Sequence, residues 1–267
     1  MRENNKALPY VSLKKQAKVD LFCLHYAGGS SAVFRDWDNL FPDWIAIRPV
    51  ELPGRGSRIL EQPLSDIKTL ITNLEDAIKD EITRPWALFG HSLGAALGYK
   101  ICQNLQKTLP ALAFFPSGRH APTLHDPAPK RGALSDDKLI EEVRSLGGSP
   151  EEVLQNKELM DLLLPMIRSD FILSETIQKT DSLLSLDCYV HVFAGSHDAE
   201  VPIKTLSQWQ DSCSKEISID ILEGNHFFLH ENSSIIHIRN AICQLIKPLL
   251  TSPTDIKENI VKEENDE

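Results

Sequence analysis

Long apolar runs are missing from this sequence, and none approaches the roughly 20 residues that a membrane-spanning helix requires. The N-terminal residues, Met1 to Lys6, also lack the apolar stretch of a signal peptide. The five cysteines are an odd number and form no CxxC or Cys/His metal pattern. We therefore expect a cytoplasmic protein with no membrane span, metal or cofactor, in which most cysteines are small buried residues.

An excess of basic charge is also absent. The 267 residues include 28 basic and 38 acidic side chains, for a formal net charge of −10. Nucleic-acid-binding proteins usually present a basic face, so this balance argues against such a partner. Residues 1–18 hold five basic side chains and one acidic one, whereas 251–267 hold two and six. We expect a basic N-terminal segment over 1–18, a domain over 19–250 and a flexible acidic tail over 251–267.

Short β-type runs alternate with helical patterns along the chain, which is typical of a mostly parallel sheet flanked by helices. The predicted strands lie at 19–24, 44–50, 86–89, 111–115, 189–193 and 217–222. Apolar residues at three- and four-residue spacing predict helices at 67–78, 93–105 and 235–249. The pattern predicts an α/β fold.

Residues 118–186 interrupt this alternation with a largely helical insertion. We predict one helix from Ser135 to Gly147-Gly148 and a second that starts in a capping box at Ser149-Pro-Glu-Glu152, with proline at its first position. A third helix is expected from about Lys157, with a kink at Pro165. An insertion of this size between two strands suggests a lid over one end of the sheet. The alternative is extra packing layers without a gating role.

The segment Gly90-His-Ser-Leu-Gly94 matches G-x-S-x-G, and it follows a predicted strand and precedes a predicted helix. In that context the motif forms a tight turn that raises the serine hydroxyl above the carboxyl edge of the sheet. The small residues at both ends let the neighbouring backbone pass closely. We interpret Ser92 as a nucleophile.

A serine nucleophile needs a base and an acid that orients the base. Of nine histidines, His226 follows the last predicted strand directly and would lie at the same sheet edge as Ser92. Asp198 follows the preceding strand in the same way, with Glu200 as a nearby rival. The order serine, aspartate, histidine is that of α/β-hydrolases.

An oxyanion hole needs two backbone N–H donors near the nucleophile. Leu93, the residue after the serine, is one candidate. The other is Ala27, in the loop His25-Tyr-Ala-Gly-Gly-Ser30 after the first strand, although this loop can also be read as a plain Gly-Gly turn. Leu52-Pro-Gly-Arg-Gly56 completes no phosphate-binding motif, and we interpret it as a turn near the rim of the cleft.

Over residues 20–248 the chain resembles the type II (editing) thioesterases of nonribosomal peptide and polyketide synthesis, which have an α/β-hydrolase fold. The resemblance rests on Ala27-Gly-Gly-Ser30, Leu52-Pro-Gly-Arg55, Gly90-His-Ser-Leu-Gly94, Leu146-Gly-Gly148, Leu164-Pro-Met-Ile-Arg-Ser-Asp-Phe171, Gly195-Ser-His-Asp198 and Gly224-Asn-His226. The motif around Arg168-Ser-Asp170 is far more specific than the serine turn. The chain departs from the family at His25, often proline, and at Leu93, often methionine, which leaves the acyl preference open.

The resemblance implies hydrolysis of acyl or aminoacyl thioesters from the phosphopantetheine arm of a carrier protein, by a monomer that needs no metal or cofactor. It implies that Ser92, His226 and Asp198 form the triad and that the Ala27 and Leu93 amides bind the oxyanion. Carrier proteins are usually acidic, so docking would need a local basic patch. Its candidate side chains are those of Arg55, Arg58, Arg119, Lys130 and Arg131.

Two alternatives fit the same scaffold. A general carboxylesterase or lipase would prefer oxygen esters to carrier-bound thioesters. A ligand-binding protein could keep the hydrolase fold without catalysis, but the complete triad argues against it.

Overall fold

A parallel sheet of six strands forms the centre of the molecule in a computed structural model that describes residues 5–124, 130–177 and 184–250. The strands are β1 (Val19–Leu24), β2 (Ile45–Val50), β3 (Trp86–His91), β4 (Ala113–Ser117), β5 (Tyr189–Gly195) and β6 (Ser218–Leu222). Their order in the sheet is β2-β1-β3-β4-β5-β6, and every pairing is parallel. The prediction of an α/β fold with a mostly parallel sheet is confirmed.

Seven α-helices lie within the described ranges. They are α1 (Trp37–Leu40), α2 (Ile67–Lys79), α3 (Leu93–Leu105), α4 (Asp136–Leu146), α5 (Glu151–Gln155), α6 (Lys157–Thr176) and α7 (Asn232–Leu249). Short 3-10 helices lie at Ser31–Phe34, Gly56–Arg58, Arg131–Ala133, Ile203–Ser212 and Phe228–His230. Within the described residues, no helix combines the length and apolar character needed to cross a membrane.

The first four strands are buried along their whole length because helices cover both faces of the sheet. One face carries α2 and α3, and its core includes Leu74, Leu88 and Leu97. The other face carries α1 and α7, with Phe34, Phe89 and Ile242 in its core. This two-sided burial explains why the strands read as continuous apolar runs in the sequence.

The predicted insertion contains α4, α5 and α6, which share a separate apolar cluster that includes Leu139, Leu154 and Leu164. The predicted capping box is wrong: α5 begins at Glu151, and Pro150 is its N-cap residue in an extended conformation. No side chain caps α5, which has only five residues. Helix α6 continues through Pro165 as a single element.

The N-terminal segment packs on the domain from residue 5 onwards. The Ala7 carbonyl accepts from the Glu51 amide at 2.8 Å, and Lys14 Nζ donates to the Phe41 carbonyl at 2.9 Å. The predicted acidic tail over 251–267 lies outside the described residues. All five cysteines are free thiols, four of them buried, as expected for small apolar side chains.

Candidate active site

Ser92 lies at the sharp turn between β3 and α3, at the carboxyl edge of the sheet. Its φ of 55° is positive, which no other non-glycine residue shows within the described ranges. Such a conformation is strained and persists only where the surroundings impose it. A Cβ at Gly90 would collide with the Gly94 backbone, and one at Gly94 would collide with the Leu24 backbone. The turn therefore needs glycine at both positions, as the sequence motif predicts.

Asp198 and His226 lie on the loops that follow β5 and β6, and they contact each other directly. His226 Nδ1 lies 2.8 Å from Asp198 Oδ2, and the other carboxylate oxygen accepts from the Glu200 amide at 2.9 Å. A carboxylate only accepts hydrogen bonds, so His226 carries its proton on Nδ1 and leaves Nε2 free to take another. Glu200, the rival acid, pairs instead with Arg131 at 2.7 and 3.0 Å.

One open cavity of about 550 Å³ brings the proposed nucleophile and base together. Ser92, His226 and Ala27 all line it, and Asp198 lies behind the histidine. Leu93 is the first residue of α3, so its N–H belongs to the first turn, where amides have no acceptor within the helix. The structure thus places all five predicted site residues at one sheet edge, while their catalytic roles stay a prediction.

We call the residues from Tyr26 to Ser30 the oxyanion loop, after the role predicted for Ala27, and within it Gly28 adopts a φ of 78°. The Tyr26 carbonyl accepts from the Gly29 amide at 3.0 Å and from His25 Nδ1 at 2.8 Å. This carbonyl shares a peptide plane with the Ala27 N–H, so both bonds help to orient that proposed oxyanion donor. Burial, together with the positive charge of Arg55, lowers the pKa of His25 to about 4 and keeps the ring neutral.

His91, directly before Ser92, has a structural role that the sequence analysis did not identify. Its Nε2 lies 2.8 Å from the His226 carbonyl oxygen, and its Nδ1 lies 2.8 Å from Ser117 Oγ. A carbonyl only accepts, so Nε2 carries the proton and Nδ1 accepts from the serine hydroxyl. Burial holds the pKa of His91 well below its usual range, which keeps the ring neutral. The ring therefore supports the backbone of the proposed base.

The predicted basic patch does not form an exposed surface, because most of its side chains are buried or paired with other residues. Arg55 and Arg131 are buried, and they pair with Asp170 and with Glu142 and Glu200. Arg58 pairs with Glu61, and the buried Arg119 donates to Ser174. Lys130 alone among the five candidates is exposed. Asp170 and Glu200 are remote in sequence from their arginines, and sequence reasoning did not include them.

A second cavity, of about 580 Å³, adjoins the first beneath the inserted helices. The two share Tyr26, Ala27, Leu146, Phe171 and Phe227. The rest of the second cavity is mainly apolar and includes Val143, Val153, Met160, Leu163 and Ile167. The first cavity is more polar, with Arg119, His120, Arg131 and Glu200 in its wall.

Comparison with known proteins gives a consistent assignment. A family model described as "Thioesterase domain" matches residues 19–244. The gramicidin S biosynthesis protein GrsT of Aneurinibacillus migulanus is 34% identical over 231 residues, covering 85% of this chain and 90% of that protein. Thioesterase PikA5 of Streptomyces venezuelae is 34% identical over 224 residues, covering 80% and 76%. The solved structure of YbtT, a type II thioesterase from the yersiniabactin NRPS/PKS biosynthetic pathway, matches with a TM-score of 0.77 and 30% identity, covering 89% of this chain and 96% of that one.

Proposed function

This chain belongs to the thioesterase family, and we propose that it is an editing enzyme that hydrolyses acyl or aminoacyl thioesters on carrier proteins. The substrate would be a stalled or misprimed chain on a phosphopantetheine arm, and the products would be the free acid and the cleared arm. The observation that carries the proposal is the cavity shared by Ser92 and His226, with Asp198 bonded to His226 at 2.8 Å.

The arrangement supports acyl transfer in two steps. In the first, Ser92 Oγ attacks the thioester carbonyl carbon while His226 Nε2 takes its proton. The Ala27 and Leu93 amides stabilise the negative oxygen of the tetrahedral intermediate. The C–S bond then breaks, and His226 gives the proton to the leaving thiolate. In the second step, water loses a proton to His226 and attacks the acyl-serine carbonyl carbon. The bond from that carbon to Ser92 Oγ then breaks, and His226 returns the proton to Oγ, which releases the acid and restores the Ser92 hydroxyl.

The two adjoining cavities suggest an orientation for the substrate. The apolar cavity beneath α4, α5 and α6 would take the acyl group, because Val143, Met160 and Leu163 offer apolar contacts. The polar cavity, with Arg119 and Arg131 in its wall, would then hold the amide-rich pantetheine arm. This orientation leaves the thioester carbonyl between Ser92 and the oxyanion loop.

The experiment that tests the proposal is release of acid from acyl-loaded carrier proteins and from acyl-coenzyme A, followed by intact mass. We expect release by the wild-type protein and none above background with Ser92→Ala, whose melting temperature should stay close to that of the wild type. An oxygen ester with the same acyl group is the parallel substrate. Hydrolysis of that ester alone would indicate a carboxylesterase, and unchanged hydrolysis by Ser92→Ala would contradict the assigned nucleophile.

The same proposal describes the protein as a cytoplasmic monomer that acts on separate carrier proteins. Light scattering on the purified chain tests the oligomeric state directly, with a mass near 30.0 kDa expected.

A further inference from the structure

A buried ion pair joins the inserted helix α6 to the loop after β2. Arg55 donates to both carboxylate oxygens of Asp170, from Nη1 at 2.5 Å and from Nη2 at 2.8 Å. Asp170 is fully buried and Arg55 is 5% exposed. A two-pronged contact of this kind fixes orientation as well as distance.

The same two side chains also bond to the oxyanion loop. The Gly28 amide donates to Asp170 Oδ2 at 2.8 Å, and Arg55 Nη1 donates to the Gly29 carbonyl at 3.3 Å. Three segments that are far apart in sequence therefore meet at one carboxylate. These are the oxyanion loop, the loop after β2, and α6.

The bond from Gly28 acts on the residue proposed to hold the oxyanion. The Gly28 N–H belongs to the peptide unit that follows Ala27, so holding it in place limits rotation about the Ala27 backbone. The preceding peptide unit, which carries the Ala27 N–H, is held by the two bonds to the Tyr26 carbonyl. Because the Gly28 amide already donates to Asp170, Ala27 is the residue of this pair whose amide is left for a substrate oxygen.

We propose that Asp170, together with Arg55, is a positioning residue that holds the Ala27 amide in the direction required by the transition state. The inference rests on the proposed function, since it assumes an oxyanion at this loop. Loss of one oxyanion donor commonly lowers kcat about 10²- to 10³-fold, and misdirecting a donor should cost less than deleting it.

The test is the variant Asp170→Asn, which keeps the size of the side chain and removes its charge and its symmetric pairing with Arg55. We expect kcat on acyl-coenzyme A to fall about 10- to 100-fold, with KM changed less than about threefold, because the hole acts mainly in the transition state. An alkylboronic acid, which adds to the serine and places an oxygen in the hole, should lose affinity by a similar factor.

The control is Asp20→Asn, which makes the same substitution at another buried aspartate near arginine side chains, although the Asp20 carboxylate accepts no hydrogen bond. Asp20 lies near the amino end of β1, away from the catalytic edge, and its Oδ2 lies 3.1 Å from Arg84 Nε. Near-normal kcat in Asp20→Asn, at a comparable loss of melting temperature, supports positioning. If both variants lose kcat in proportion to melting temperature, or if Asp170→Asn keeps wild-type kcat and boronate affinity, the proposal is wrong.

Arg55→Lys provides a second variant in case Asp170→Asn does not fold. Lysine keeps the positive charge beside Asp170 but cannot form the two-pronged contact. We expect a smaller loss of kcat than in Asp170→Asn, again at nearly constant KM. Wild-type kcat in Arg55→Lys, together with wild-type boronate affinity, would overturn the role of the pair.

Labelling of Ser92 by a fluorophosphonate separates this inference from the proposed function, because the reaction uses the oxyanion hole but needs no thioester. A wild-type protein that is labelled but hydrolyses no thioester would contradict the proposed substrate. Slower labelling of Asp170→Asn than of Asp20→Asn would still support the positioning role, and equal rates would refute it.

Discussion

The two halves of the inserted segment differ in how they are attached to the rest of the molecule. Helix α6 carries a fully buried ion pair, whereas the ion pairs of α4 and α5 each include a side chain that is at least partly exposed. In α6, Asp170 is fully buried against Arg55, and Arg168 donates to the Gly132 and Leu134 carbonyls at 2.8 and 2.6 Å. These bonds attach α6 to the oxyanion loop on one side and to the turn before α4 on the other.

Most ion pairs of α4 and α5 are more exposed, and the most buried of them joins Glu142 of α4 to Arg131 at 2.7 Å. Asp136, at the start of α4, pairs with Arg168, but its side chain is 69% exposed. The ion pair between Arg144 and Glu151 links α4 to α5 at 3.0 Å, with both side chains more than 40% exposed. Exposed ion pairs contribute little to stability, because water screens the charges and the side chains lose entropy.

This difference bears on the predicted lid. If part of the insertion opens to admit an acyl-pantetheine arm, opening at α6 would break the buried Arg55–Asp170 pair and disturb the oxyanion loop. Opening at α4 and α5 would break the partly buried Glu142–Arg131 pair but leave the Arg55–Asp170 pair and the oxyanion loop intact. We therefore propose that the insertion opens at α4 and α5, and that α6 is a fixed wall of the active site. Four predictions test this division, from the largest effect to the smallest.

The largest loss of unfolding free energy is expected when a buried side chain of α6 is truncated. Leu173 of α6 is 1% exposed and packs into the core on the α2 and α3 face of the sheet, so Leu173→Ala should lower the free energy of unfolding by about 3 kcal/mol. Leu154 of α5 belongs to the apolar cluster of the insertion, and Leu154→Ala should cost about 2 kcal/mol, the low end of the range for a buried leucine. Urea unfolding measures both values. Equal losses of unfolding free energy in the two variants would show that α5 contributes to the stability of the domain as much as α6 does.

His25 lies beneath the oxyanion loop, on the fixed side, and makes stability depend on pH. Its pKa is lowered from 6.5 to about 4 in the folded protein, so the unfolded chain takes up a proton first as the pH falls. The stability that neutral His25 provides is complete above pH 6.5 and is lost between pH 6.5 and 4. From pH 8 to pH 5 this loss is about 2 kcal/mol.

The control for this prediction is His25→Asn, because an asparagine Nδ2 can take the place of His25 Nδ1 as donor to the Tyr26 carbonyl and does not titrate. Unfolding of both proteins is measured at pH 8 and pH 5, and the difference between their losses isolates His25 from other titrating groups. A difference below about 0.5 kcal/mol would mean that the ring is not buried in its neutral form.

A third effect, on kcat/KM, is expected at the end of α4, which lies beside the proposed active site. A Cβ at Gly148 would overlap the ring of Phe227, the residue after the proposed base, whereas a Cβ at Gly147 would meet nothing within 4 Å. Gly148→Ala should therefore displace Phe227 and lower kcat/KM about tenfold, which is about 1.4 kcal/mol. Gly147, with a φ of 77°, serves as the control. Gly147→Ala should destabilise the end of α4 by about 1 kcal/mol through backbone strain alone, with kcat/KM unchanged.

Sequence patterns were sufficient for the sheet and for the order of the site residues. Strands with two buried faces are continuous apolar runs, and the carboxyl ends of parallel strands meet at one edge. The meeting of Ser92, Asp198 and His226 at that edge could therefore be predicted from their positions after strands. The predicted strand and helix boundaries differ from the observed ones by a few residues at most. The strands and helices depend mainly on the spacing of apolar residues, which is a local property of the sequence.

Features that depend on distant partners could not be predicted in the same way. Arg55 lies 115 residues from Asp170, and Arg131 lies 69 residues from Glu200, so nothing local to either arginine indicates that its charge is already paired. Both arginines were therefore placed on an exposed patch. The capping box at 149–152 failed for the opposite reason. Its four-residue pattern is common, and in the structure α5 begins at Glu151 with Pro150 as an extended N-cap residue and no side-chain cap.

The smallest effect is expected at the ion pair between α4 and α5. Because Arg144 and Glu151 are both exposed, Arg144→Ala should shift the melting temperature by less than ~1 °C. Its effect should instead be local: hydrogen exchange of amides in α4 and α5 should become several-fold faster, while exchange in α6 stays at the wild-type rate. Mass spectrometry of peptides covering 136–155 and 157–176 measures the two regions in one sample. Faster exchange in both regions would mean that the insertion opens as one body, because α6 can follow α4 and α5 only if its buried contacts with the oxyanion loop break as well.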